Sequence, residues 1–192
     1  IQVSLFNILQ EGDIQIRGFQ LRMPLDIQFV FTANPEDYTN RGSIVTPLKD
    51  RIGSQIFTHY PKSIGLSRKI TEQEAKISEE DKVAIHVSDM AKDLLEEVAF
   101  EARNSEYVDA KSGVSARMTI SAMENLMSAA KLRLIETDSA ETTLRLVDFM
   151  SIIPSVTGKI ELVYEGEQEG ADQVAKLLID NAVTTHFEKI FP

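Results

Sequence analysis

The sequence predicts an α/β region followed by an all-α region, because its hydrophobic pattern changes part-way along the chain. Residues 1–61 contain short apolar runs that alternate with polar residues or end in turn formers, as strands do. From about Thr71 onward, apolar residues recur at the spacing of amphipathic helices. Two core strands and one helix do not make a sheet that is covered on both faces, so we expect the α/β region to be incomplete.

The α/β region is predicted to begin with a helix and a hairpin. Residues 1–11 carry apolar side chains at helical spacing, but the chain starts with Ile1 and without a helix cap. We therefore expect a fragment or a processed piece of a longer protein. Residues 13–24 alternate in polarity on both sides of Arg17-Gly18, which can form a turn, so this segment is predicted to be a hairpin.

Two further apolar segments predict core strands. Residues 27–31 are β-branched and aromatic, and the turn signal Asn34-Pro35 follows them. Pro35 disfavours a helical conformation of the residue before it, so we expect Asn34 to be presented from a fixed backbone at a strand end. An ordinary strand-ending turn is the alternative. A Pro-led helical turn around Leu48 precedes the second predicted strand, at 55–59.

The helical region is predicted to contain several helices and one extended segment. In chain order these are a helix that Ser88 or a nearby residue could cap, a helix with Ser115 as its predicted N-cap, a helix near 140–150, an extended segment at 159–166 and an amphipathic helix at 171–190. The third helix should end before Pro154, since proline disrupts a helix interior.

The composition excludes several classes of protein. The chain has 192 residues, of which 43% are apolar and 26% charged, and this balance is typical of a globular protein. The absence of cysteine excludes disulfides, thiol catalysis and Cys-ligated zinc. A formal charge of -10 argues against non-specific nucleic-acid binding. No apolar run reaches the roughly 18 to 20 residues of a membrane span, and we expect a cytoplasmic protein.

Three polar residues stand at the edges of predicted elements. Asn34 ends a strand, Arg51 follows the helical turn in PLKDRIG, and Arg117 lies in the first turn of a helix in GVSARM. A helix N-terminus attracts anions, so an arginine there is better explained if a phosphate or carboxylate also binds. For Arg51 or Arg117 taken alone, a surface or interdomain ion pair is the alternative.

The order of these features resembles the C-terminal half of an AAA+ ATPase, in the clade of magnesium-chelatase I subunits and MoxR-type ATPases. The resembling features are the hairpin, the strand with TANP, the turn with LKDRI and the helical domain with GxSxR. The resemblance implies an incomplete AAA+ nucleotide-binding core in residues 1–62 and a helical lid domain in residues 63–158. An extended strand and a helix would follow in residues 159–192.

The resemblance also implies roles for the three polar residues. Asn34 would be sensor 1, which helps to orient the attacking water, and Arg117 would be sensor 2, which contacts the phosphates from the lid. Arg51 would be the arginine finger that reaches the nucleotide of a neighbouring subunit. The family commonly has LLDRF where this chain has LKDRI, and Pro where Ala116 stands; Arg41 is a rival finger.

The chain departs from the family by what it lacks. No G-x-x-x-x-G-K-[ST] phosphate loop and no apolar strand ending in Asp-Glu occurs in the sequence. In the family both motifs lie upstream, so ATP and Mg²⁺ are expected to bind the full-length parent and not this fragment, which should lack ATPase activity. In the parent, a homo-oligomeric, hexameric ring would remodel a partner, often one with a von Willebrand factor A type domain. Magnesium insertion into a porphyrin is one special case.

Other functions stay open at this point. A non-catalytic AAA+-like assembly module is the main alternative, and a DNA-dependent motor is a third reading that the acidic balance disfavours. The hairpin could contact a pore or partner through Arg17 and Phe19, or be a simple turn. The histidines, His59, His86 and His186, have no ligand-like spacing, so no metal site is expected.

Overall fold

The computed structural model of the chain describes residues 8–9, 13–22, 28–33, 46–110 and 113–191, which divide into two compact units, Ile1–Thr58 and His59–Pro192. In the first unit, strands β1 (Asp13–Ile16) and β2 (Phe19–Arg22) pair antiparallel. Arg17 and Gly18 join them with positive φ angles of 50° and 86°, as a tight hairpin turn requires. The predicted hairpin is therefore present, and helix α1 (Thr46–Lys49) forms the helical turn predicted around Leu48.

Neither predicted core strand is observed. Residues 28–31, the described part of the first segment, have no regular structure, and Val30 is 81% exposed. Residues 55–59 are also irregular, with Ile56 and Phe57 89% and 79% exposed. A strand needs a neighbour that takes its backbone hydrogen bonds. In the described part of the first unit, only the two arms of the hairpin supply each other with one.

The second unit is helical. Its helices are α2 (Ile64–Glu74), α3 (Glu79–Ala84), α4 (Asp89–Asn104), α5 (Met118–Glu136), α6 (Ile153–Thr157), α7 (Tyr164–Glu169) and α8 (Ala171–Ile190). A 3₁₀ helix spans Leu146–Ile152, and strands β3 (Ile85–His86) and β4 (Thr142–Thr143) form a short parallel pair. None of the described helices is long and apolar enough to cross a membrane.

Serine side chains start three of these helices. Ser63, Ser78 and Ser88 each accept a hydrogen bond from the backbone N–H three residues later, at the first turns of α2, α3 and α4. This bond satisfies one of the N–H groups that have no partner inside the helix. The cap predicted at Ser88 is confirmed.

The core of the second unit lies between α4, α5, α8 and the 3₁₀ helix. Its most deeply buried large side chains include Leu95, Leu126, Phe149, Ile152 and Leu178, all at most 1% exposed. Three methionines of α5 recur at helical spacing and are buried in this core, as that spacing predicts: Met118, Met123 and Met127. Helix α8 packs on α4 and α6, so the C-terminal helix belongs to the same unit as the rest of the helical region.

The structure corrects the helix predicted near residues 140–150. That stretch contains β4 and most of the 3₁₀ helix, and Pro154 lies in the first turn of α6 instead of following a helix end. Proline is tolerated in a first turn, because its missing N–H would have no partner inside the helix there. The extended segment predicted at 159–166 is observed in part, since Ile160 and Leu162 make single bridges to Val114 and Val108 before α7 begins.

Candidate functional site

The structure describes two of the three residues with proposed nucleotide roles. Asn34 lies outside the described residues, as does the rival finger Arg41. Arg51 lies in the first unit, in the turn after α1, where its N–H donates to the carbonyl of Leu48 at 3.1 Å. Its side chain is half-buried. Arg117 lies in the second unit.

Arg117 precedes the first residue of α5 and has a helical backbone, with φ -83° and ψ -3°. Its side chain is exposed and makes no hydrogen bond or ion pair with the described part of the chain. Two other arginines of the same unit differ. Arg68 pairs with three carboxylates, and Arg133 pairs with the buried Asp148. Arg117 is therefore a cation that these surroundings leave open to a ligand.

Residues 113–119, here called the Arg117 segment, are fixed by backbone bonds on one side. The N–H of Ser115 donates to the carbonyl of Lys159 at 2.9 Å, next to the bridge between Val114 and Ile160. The Ser115 hydroxyl accepts from the N–H of Arg117 at 3.2 Å. Ser115, predicted as the cap of this helix, does not cap α5, because it lies three residues before Met118 and its hydroxyl closes only the turn that leads into the helix.

Tyr60 holds the beginning of the Arg117 segment. Its hydroxyl accepts a hydrogen bond from the N–H of Val114 at 3.1 Å. Gly113 has a φ of +72°, and a Cβ there would lie 2.5 Å from the Tyr60 hydroxyl. Glycine is needed at 113 for both reasons, since the backbone is left-handed and the phenol occupies the space of a side chain. This gives the glycine of the GxSxR pattern a physical role.

Thr119 holds the end of the segment through a chain of buried hydroxyls. Its Oγ1 lies 2.9 Å from Thr71 Oγ1, and Thr71 donates to Glu96 Oε1 at 2.6 Å. Because the Thr71 proton is used in that bond, Thr119 is the donor to Thr71. Ser67 donates to the other carboxylate oxygen, Glu96 Oε2, at 2.5 Å. The hydroxyl chain links α2, α4 and the first turn of α5.

Glu96 and Arg103 are the charged groups of this interior. Glu96 is 1% exposed, and burial raises the pKa of its carboxyl although the hydroxyls of Ser67 and Thr71 and the charge of Arg103 oppose the rise. The Arg103 guanidinium lies 4.3 Å from the centre of the Tyr60 ring, and burial lowers its pKa. Its Nε and Nη1 are buried without a hydrogen-bond partner in the described part of the chain. The guanidinium thus stacks on the phenol that contacts Val114.

Sequence reasoning found Arg117 but missed the residues that hold its segment. These residues are Tyr60, Thr71 and Glu96. One signal was available: Ser67 and Thr71 are four residues apart on α2, so two small hydroxyl side chains share a helix face. Both are buried, at 4% and 1% exposure, which is unusual for polar residues without a partner.

Comparison with known proteins gives no relative for this chain. Protein-family models, curated proteins and solved structures were searched, and none of them matches. In the described part of the chain, no three His, Cys, Asp or Glu side chains are grouped so that they could hold a metal ion.

Proposed function

We propose that this chain is the distal part of an AAA+ ATPase of the magnesium-chelatase I and MoxR class. Residues 1–62 would complete a nucleotide-binding core, and the helical unit would be its lid. In a cytoplasmic homo-oligomeric ring, ATP hydrolysis would drive the remodelling of a partner protein with a von Willebrand factor A type domain. Magnesium insertion into a porphyrin is the special case in which that partner handles the porphyrin.

The proposal depends most on two properties of the Arg117 side chain, its exposure and its lack of a carboxylate partner in the described part of the chain. An exposed arginine stands at the start of a helix, where backbone N–H groups already favour an anion, and it has no carboxylate partner in the described part of the chain. The segment around it is held in place by hydrogen bonds to the side chains of Tyr60 and Thr71. An unpaired guanidinium carried on a held backbone suits a phosphate, which accepts two hydrogen bonds from it at once.

The other two residues would act on the same nucleotide chemistry. Asn34 would help to orient the attacking water, and Arg51 would reach the nucleotide of the neighbouring subunit. Phosphoryl transfer depends on positioning and on positive charge at the transferring group, so an arginine supplied in trans is worth roughly 10³ to 10⁵ in rate. ATP and Mg²⁺ would be held by a phosphate loop and an acidic strand end that this sequence does not contain.

Exposed apolar residues in the first unit support an incomplete core. Val30, Ile56 and Phe57 are between 79% and 89% exposed on segments whose composition favours strands. Neighbouring strands of a larger sheet would pair with these segments and cover the side chains. The same exposed residues also favour the alternative of a non-catalytic assembly module, because either sheet completion or a partner would bury them.

The test is a set of arginine variants in the protein at its native length. Arg51→Ala is expected to lower kcat by about 10³-fold, because it removes charge that acts at the transferring phosphoryl group. Arg117→Ala is expected to raise KM for ATP about 10-fold or more, as the loss of a charged hydrogen bond would. Arg145→Ala, which removes an exposed arginine outside the Arg117 segment, is the matched control and should change neither.

Mixed rings separate the motor from its alternatives. Subunits with Arg51→Ala are mixed with subunits whose phosphate loop is disabled; hydrolysis should reappear, because some interfaces then pair an intact loop with an intact Arg51. If the wild type at native length neither binds nor hydrolyses ATP, the non-catalytic module replaces the motor. Full activity of Arg51→Ala homomeric rings would remove Arg51 from the mechanism.

A further inference from the structure

The Arg117 segment is held at both ends by side-chain hydroxyls. Val114, three residues before Arg117, donates its N–H to Tyr60, and Thr119, two residues after it, is bound to Thr71. We propose that Tyr60 is a positioning residue for Arg117, which sets the affinity for the nucleotide phosphates through the backbone of the segment. This inference rests on the proposed function of Arg117 and names a further residue that serves it.

The geometry around Val114 makes the Tyr60 hydroxyl specific. Val114 is fully buried, so its N–H needs a partner within the protein. Gly113 turns left-handed immediately before it and leaves the space that the phenol fills. Loss of the hydroxyl would leave the N–H unsatisfied, and the segment would gain other backbone conformations in which Arg117 is displaced.

The ring of Tyr60 has a contact of its own that does not involve the hydroxyl. Arg103 stacks 4.3 Å from the ring centre and 5.1 Å from the ring of Phe100, which neighbours it on α4. The ring can therefore stay in place without its hydroxyl. This separates the structural part of Tyr60, the ring, from its positioning part, the oxygen.

Tyr60 also lies at a particular place in the chain. It is the second residue of the helical unit, which begins at His59, and it follows the segment that leaves the turn with Arg51. The hydroxyl bond spans 54 residues of sequence and ties the entry of the unit to the GxSxR pattern.

The experiment is Tyr60→Phe in the native-length protein, with binding of Mg²⁺ and a slowly hydrolysed ATP analogue as the readout. We expect affinity to fall about 5-fold, as the loss of one net hydrogen bond gives, and KM for ATP to rise by the same factor while kcat stays within about 2-fold. Tyr164→Phe is the matched control. Its hydroxyl accepts from Gln168 on the surface of α7, so its removal should leave affinity unchanged.

A double-variant cycle decides whether Tyr60 acts through Arg117. The Tyr60→Phe effect should vanish in an Arg117→Ala background, because the displaced group is then absent. An equal effect in both backgrounds, or no effect of Tyr60→Phe where Arg117→Ala weakens binding, overturns the positioning role and leaves the proposed function standing. If Arg117→Ala itself leaves affinity unchanged, the proposed function of Arg117 fails first.

A second measurement needs no variant. Amide hydrogen exchange of the wild type is followed with and without the ATP analogue. Slower exchange across residues 113–119 on binding is expected if the segment is the phosphate-contacting element that Tyr60 holds. Unchanged exchange there, with protection elsewhere in the protein, overturns the inference even if Tyr60→Phe does not fold.

Discussion

A core of large apolar side chains is buried in the second unit, whereas most of the large apolar side chains described in the first unit are exposed. In the second unit Leu126, Phe149 and Ile152 are at most 1% exposed, whereas in the first unit Ile56 and Phe57 are 89% and 79% exposed. A helix makes its backbone hydrogen bonds within itself and needs neighbours only to cover its apolar face. A strand needs neighbours both for its backbone hydrogen bonds and to cover its apolar side chains. The difference indicates that the second unit has a complete core of its own, while the apolar segments of the first unit need a partner surface.

A matched pair of phenylalanines gives the largest test of this comparison. Phe149→Ala should lower the free energy of unfolding by about 3 to 5 kcal/mol, because it leaves a cavity in the core of the second unit. Phe57→Ala, at 79% exposure, should change it by less than about 0.5 kcal/mol. Urea denaturation followed by far-UV circular dichroism measures both. A large loss on Phe57→Ala would mean that the first unit buries this ring in solution.

Two glycines with similar left-handed backbone conformations, one in each unit, extend the comparison. Gly113 and Gly18 have φ angles of +72° and +86°, so alanine is strained at either position. Gly113→Ala should destabilise the helical unit by about 2 kcal/mol, because the roughly 1 to 2 kcal/mol cost of a left-handed alanine is joined by displacement of the Tyr60 hydroxyl.

Gly18→Ala meets nothing within 4 Å, and the hairpin belongs to the other unit. It should therefore shift the unfolding transition of the helices by less than about 0.5 kcal/mol. The same denaturation experiment is read at 222 nm, where helices dominate the signal. Equal losses for the two variants would show that the units unfold together, and that the surroundings of Gly113 contribute nothing beyond backbone strain.

The helices were predictable because their signals are local. The helix predicted at 171–190 has those bounds in the structure, and Ser88 caps α4 as its position indicated. Such patterns lie within a few residues of one another, so no knowledge of the fold is needed to see them. The prediction of a helix that ends before Pro154 was wrong because it also used only a local signal. Proline marks a break in the helical pattern, but the sequence does not show that a 3₁₀ helix precedes the break and that α6 begins there.

The strands and the interior of the site were not predictable in this way. The apolar segments at 27–31 and 55–59 have strand composition, but pairing depends on neighbours that a local pattern does not contain. A short motif led to the proposal for Arg117. Tyr60 contacts Val114 across 54 residues of sequence. Glu96 is linked to Thr119 through Thr71, which is 25 residues from Glu96 and 48 residues from Thr119. Only the fold brings these residues together.

The smallest expected effect is the pH dependence of stability that the buried carboxyl of Glu96 causes, and its sign is defined. Its pKa is raised above the ordinary value of 4.5 by burial, so the folded state binds more protons than the unfolded state in the pH range between the two values. The contribution of Glu96 to stability therefore falls as pH rises through that range and is constant above it. Glu96→Gln removes this dependence, and its amide can still accept from one hydroxyl and donate to the other.

The stability of Glu96→Gln relative to the wild type should thus increase from pH 4.5 upward and then level off. Carboxyls with lowered pKa values, such as Glu72 beside Lys92, act in the opposite direction but are present in both proteins and cancel in the difference. Urea denaturation at a series of pH values measures it, with Glu141→Gln on the exposed surface as the control. A difference that does not depend on pH would place the Glu96 carboxyl in contact with water, and the hydroxyl chain from Thr119 to Glu96 would then not be a closed interior.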